Sequence, residues 1–164
     1  MIVVAATTAG DRRRFSVAHE LGHLVLHHTP EGTPHALERQ ADAFAEAFLL
    51  PAAAMREVLV PPITLTTLAD LKARWGVSLQ ALIRRAHTLD RLTPSQYRSL
   101  ATQLGARGSR TWEPITVPVE RPRALRQVAE LLYGVPMNYR RLADEMGLDP
   151  SFVQDLLDAH ATGI

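Results

Sequence analysis

Apolar residues recur along most of this chain at helical spacing, broken by proline and glycine, behind a short apolar leader. The leader Met1-Ile2-Val3-Val4-Ala5-Ala6 has the length and side chains of a β-strand and is read as a sheet edge. From Phe15 to Leu26 the positions Phe15, Val17, Ala18, Leu21, Leu24, Val25 and Leu26 are apolar, which predicts a helix buried on most sides, with Asp11 as its N-cap. Gly22 within it costs about 1 kcal/mol relative to alanine, so close packing against the backbone is expected there. Thr33-Pro34 has the form of an N-cap followed by proline at the first helical position. Leu37, Ala41, Phe44 and Phe48 then form a helical stripe that Pro51 ends. Further helices are predicted from Leu65, Leu68 and Leu71, from Ser78 to about Thr88, and from Thr93-Pro94 through Tyr97, Leu100 and Leu104. Ile115-Thr116-Val117-Pro118-Val119 is a short strand-like run that Pro118 restricts to an edge. Pro114, Pro118 and Pro122 stiffen a connector, and helices resume near Arg123. The pattern predicts an α+β fold, predominantly helical, with residues 1–110 as one domain and 111–164 as a small helical region.

Composition narrows the class. An apolar content of 46% in 164 residues supports a sizeable core. The chain has no cysteine, which excludes disulfides and thiolate metal ligation. The apolar leader is too short for a signal peptide, and no stretch approaches the roughly 18 apolar residues of a membrane span. A cytoplasmic protein is therefore expected, with no membrane partner. Charge is near balance but unevenly placed. Residues 60–115 hold eight basic residues against three acids, whereas 1–59 and 116–164 each hold five against seven. The basic middle (Lys72, Arg74, Arg84, Arg85, Arg91, Arg98, Arg107, Arg110) reads either as a surface for an acidic partner or nucleic acid, or as solvated helix faces.

The chemistry is concentrated in His19-Glu20-Leu21-Gly22-His23, an HExxH pattern. Four-residue spacing on a helix puts both imidazoles on one face, one turn apart, within reach of one ion. Neutral imidazole is a good zinc ligand. Glu20 lies about 100° further round, poorly placed as a ligand but suited to act as general base on an attacking water. Catalytic zinc sites use three protein ligands, and the next predicted helix supplies Glu38 as the third, with Asp42 one turn on as the acceptor that orients a ligand histidine. The bland alternative is that Glu38 and Asp42 are the solvated face of an amphipathic helix. His35, Glu31 and Glu46 are weaker ligand candidates; Glu46 lies two turns beyond Glu38, too far for both to reach one ion. His27, one turn past His23, either contacts substrate or the transition state or, like His28, sits near the helix end for the macrodipole.

Three segments together resemble the ImmA/IrrE family of metallopeptidases: Arg14-Phe15-Ser16-Val17-Ala18-His19-Glu20-Leu21-Gly22-His23-Leu24-Val25-Leu26-His27, then Glu38-Arg39-Gln40-Ala41-Asp42-Ala43-Phe44-Ala45 with Phe48-Leu49-Leu50-Pro51, then residues 71–86 around Trp75-Gly76-Val77-Ser78. The resemblance covers about residues 1–110. It implies a small gluzincin-like zinc peptidase core. His19, His23 and Glu38 would hold Zn2+, Glu20 would be catalytic, and Asp42 would bond a ligand histidine. It also implies a protein substrate, a helix-turn-helix repressor of a mobile element or stress response. In gluzincins a sheet edge holds extended substrate, the role the leader strand would take. Here Met1 stands only eighteen residues before His19, a shorter lead than many relatives have.

Near the C-terminus, Leu142-Ala143, Gly147, Leu148 and Val153 have helix-turn-helix spacing, with Asp149 or Ser151 opening the second helix. That helix carries Asp149, Asp155 and Asp158 and no Lys or Arg, so phosphate repulsion argues against DNA and for packing or protein docking. The competing functional reading is a non-proteolytic zinc-containing regulatory protein that acts through this helical half.

Overall fold

The computed structural model describes residues 9–29, 31–106, 115–120 and 123–158. Among them the regular structure is nine α-helices. These are α1 (Gly10–Leu26), α2 (Pro34–Leu49), α3 (Ala52–Val58), α4 (Leu65–Trp75), α5 (Leu79–Thr88), α6 (Pro94–Ala106), α7 (Ala124–Tyr133), α8 (Tyr139–Met146) and α9 (Pro150–Asp158). The described fold is helical, not α+β. Ile115–Val119 forms no strand: Pro118 lacks an N–H, and the segment's bond to α1 is one contact, from Gly10 N–H to the Val117 carbonyl at 3.3 Å. The leader read as an edge strand lies outside the described residues. The chain separates into two compact units, 1–119 and 120–164.

Helix boundaries in the first unit follow local chemistry. Thr33 caps α2 by accepting from Ala36 N–H, with Pro34 at the first position. Thr64 and Thr67 cap α4 reciprocally, and Ser78 caps α5 by accepting from Ala81 N–H. Between α4 and α5 the chain turns at Gly76 with φ +62°, a left-handed conformation that glycine adopts without strain. The core of this unit is an apolar cluster from Leu50 to Leu104, centred on Met55, Leu68, Leu79 and Leu82 and drawn from α3 to α6 with their connections.

α1 and α2 pack antiparallel. Gly22 makes the approach possible, because a Cβ there would lie 3.1 Å from Phe44 Cδ1 and 3.2 Å from Ala41 Cα. The Ala41 atom is backbone and cannot swing aside. Gly22→Val is therefore expected to cost about 1–3 kcal/mol, read as a lower denaturant midpoint. Unchanged stability would show that the helices separate at little cost.

α1 is less buried than its apolar content predicts: Val17, Leu24, Val25 and Leu26 are all more than 40% exposed. Periodicity identifies an apolar helix but not how many of its sides find partners. Asp11 also departs from its predicted place. The N-cap is Ala9, and Asp11 is buried inside the helix in an ion pair with Lys72 of α4. Beside it Arg14 donates to the Trp75 carbonyl, so the first turn of α1 is tied to the end of α4. That accounts for one member of the Arg12-Arg13-Arg14 run.

The second unit is a three-helix module. α8 and α9 flank a turn at Gly147, φ +65°, and Asp149 accepts from the Ser151 and Phe152 N–H groups at the start of α9. Ala129, Leu142, Ala143, Val153 and Leu157 form its core. Arg126 ties α7 to α9 through Asp158, which also accepts from the Tyr139 hydroxyl. No described helix is long and apolar enough to cross a membrane.

Candidate metal centre

With Gly22 setting the approach, His19 and His23 on α1 meet Glu38 and Asp42 on α2. His19 Nε2 lies 3.1 Å from His23 Nε2 and 3.2 Å from one Glu38 carboxylate oxygen. The other Glu38 oxygen is 3.4 Å from His23 Nε2. Tetrahedral ligands held at roughly 2.0–2.1 Å from zinc stand about 3.3–3.4 Å apart. Each separation is thus close to one tetrahedral edge, with a different Glu38 oxygen nearest each histidine. His19, His23 and Glu38 form a group able to hold a metal ion. The donor set fits a cation as well as the distances do, since a carboxylate and two imidazole nitrogens facing one another repel unless positive charge lies between them. Glu38 is 62% exposed, so the cluster is open to solvent.

Each histidine has a second contact behind it. Asp42 Oδ1 accepts from His19 Nδ1 at 2.9 Å. His23 Nδ1 lies 2.9 Å from His27 Nδ1, and His27 Nε2 lies 2.9 Å from Gln40 Oε1. Glu20 is exposed on α1 beside His19. His28, Glu31 and His35 are exposed and outside the three-residue cluster.

Glu46 is also outside it. Its carboxylate is 7% exposed and pairs at 3.1 Å with Arg84 of α5, which approaches Asp42 at 3.6 Å. Burial pushes the Glu46 carboxyl above the usual glutamate range, against the downward pull of Arg84. A cavity of about 390 Å³ adjoins this pair, lined among others by Phe15, Ser16, Gln80 and Leu104. Phe15 and Ser16 stand one helical turn before His19 and Glu20 on α1, but His19, His23 and Glu38 do not line the cavity.

Gln40 carries no signal in the sequence pattern, and Arg84 there falls either on a surface for an acidic partner or nucleic acid or on a solvated helix face. Several cations of the same basic stretch are structural. Lys72 is buried on Asp11, Arg85 donates to the Leu50 carbonyl at 2.8 Å, and Arg91 donates to the Arg56 carbonyl. Arg107 and Arg110 lie outside the described residues. Among the described basic residues, Lys72, Arg85 and Arg91 are thus engaged within the protein.

The family model of the IrrE N-terminal-like domain, Peptidase_M78, matches residues 1–87. That span contains the whole cluster. No curated protein matches the chain.

Proposed function

Because the chain belongs to the IrrE N-terminal-like family of metallopeptidases, Peptidase_M78, we propose that it is a zinc-dependent endopeptidase with His19, His23 and Glu38 as ligands and Glu20 as general base. The observation that carries this reading is the convergence of two imidazole nitrogens and a carboxylate at 3.1–3.4 Å between α1 and α2. Zinc held there would supply Lewis acidity, polarising the peptide carbonyl and making water nucleophilic near neutral pH.

The chain's own groups do the rest. Glu20 follows His19 and projects about 100° further round α1, outside the ligand set. Its exposed carboxylate takes a proton from the attacking water and returns it to the leaving amine. Asp42 keeps the His19 ring in place through Nδ1. The substrate class is a protein, and a helix-turn-helix repressor is the target that the family resemblance nominates.

Metal analysis of purified variants tests the ligand set. His23→Ala and Glu38→Ala should fall from near-stoichiometric zinc to a small residue, while Glu46→Ala should keep its zinc because its partner is Arg84. Full zinc retention by His23→Ala, or zinc loss by Glu46→Ala, would overturn the assignment. Incubation of the zinc-loaded chain with a repressor of this class, followed by intact-mass analysis, tests the activity.

A further inference from the structure

We infer that His27 and Gln40 form a positioning pair that fixes which nitrogen of His23 is offered to the metal, an inference that rests on the metal-centre reading above. Hydrogen polarity runs inward from Gln40. An amide oxygen only accepts, so Gln40 Oε1 at 2.9 Å receives the hydrogen of His27 Nε2. A neutral imidazole carries one N–H, which leaves His27 Nδ1 as a lone pair. The 2.9 Å contact between the two Nδ1 atoms then requires the hydrogen to sit on His23. His23 Nε2 is left with its lone pair, facing His19 Nε2 at 3.1 Å and Glu38 at 3.4 Å.

The two ligand histidines are therefore held by different devices. His19 leans directly on the Asp42 carboxylate, whereas His23 leans on a neutral relay of one imidazole and one amide. A neutral relay orients His23 without placing a third carboxylate beside Glu38 and Asp42. It also redefines His27. Both of its ring nitrogens are engaged, one by His23 and one by Gln40, so neither is left for an oxyanion or a substrate group.

Zinc affinity of the full-length chain, measured by competition with a chromophoric chelator, tests the pair. His27→Leu removes the acceptor and should weaken zinc binding about 10–100-fold, the usual effect of losing an outer-shell partner. His27→Gln restores a carbonyl acceptor and should recover most of that loss. Gln40→Glu keeps the acceptor and should bind like the parent. Gln40→Lys offers only a donor, reverses the required polarity, and should weaken binding as His27→Leu does. The visible spectrum of the cobalt(II)-loaded protein should change for His27→Leu and Gln40→Lys but not for Gln40→Glu. Parent-like zinc affinity in His27→Leu, or equal affinity in Gln40→Lys and Gln40→Glu, overturns the inference while the site stands. Failure of the parent protein itself to bind zinc or cobalt overturns the metal-centre reading and this inference with it. Melting of the metal-free proteins separates a general packing role, which would lower stability equally in His27→Leu and His27→Gln.

Discussion

Glu20→Gln protein is expected to hold zinc as tightly as the parent and to cleave a repressor substrate about 10²–10⁴-fold more slowly. Glutamine keeps the length and planarity of glutamate but cannot take the proton of an attacking water. Metal binding should survive because the three converging donors are on His19, His23 and Glu38, and Glu20 is not among them. The measurement pairs zinc content with initial cleavage rates on the same preparations. His23→Ala provides the contrast, since it should lose zinc and cleavage together. Cleavage within about threefold of the parent would remove Glu20 from the chemistry and favour a regulatory protein in which the metal is structural. The exposed position of Glu20 suits the role, because a general base must reach water and a peptide that both arrive from solvent.

The candidate centre was legible in sequence where it depends on helical periodicity. His19 and His23 share a face of α1, and Glu38 and Asp42 share a face of α2, because residues four apart on a helix stack one turn above another. Gly22 marked the close approach, and the structure shows what fills it. The remainder depends on partners that spacing does not encode. His27 and His23 could be paired from their spacing, but the direction of their hydrogen bond is set by Gln40, on another helix.

Asp11 looked like a cap because it precedes an apolar run, and its true partner is 61 positions away. One signal was available: Lys72 is the only lysine in a chain that otherwise uses arginine. A slim stem ending in a compact ammonium fits a closed site that a planar guanidinium would not. The strand reading of Ile115–Val119 relied on β-branched side chains, but a strand also needs a neighbour, and among the described residues none pairs with it. The extent to which α1 is exposed was equally hidden, since amphipathic pattern reports affinity for apolar surroundings and not their presence.

Asp11→Ala is expected to destabilise the first unit by about 3–5 kcal/mol, the usual cost of breaking a buried ion pair from one side. Lys72 is 1% exposed and Asp11 2%, so loss of the carboxylate leaves an ammonium that water reaches poorly. The carboxylate also accepts from the Arg12 N–H at 2.9 Å, so the substitution also removes a contact inside the first turn of α1. Chemical denaturation would show the loss as a lower midpoint. If the midpoint stays within experimental error of the parent, the pair does not hold α1 to α4. The double variant Asp11→Leu with Lys72→Met separates charge from packing. It restores apolar volume on both sides and should recover most of the stability, since a buried ion pair is often matched by well-packed hydrophobic residues. The pair is then better understood as fixing where α1 begins than as a source of net stability. That registration bears on the metal centre, because His19 stands eight residues along the same helix, about 12 Å from the anchor.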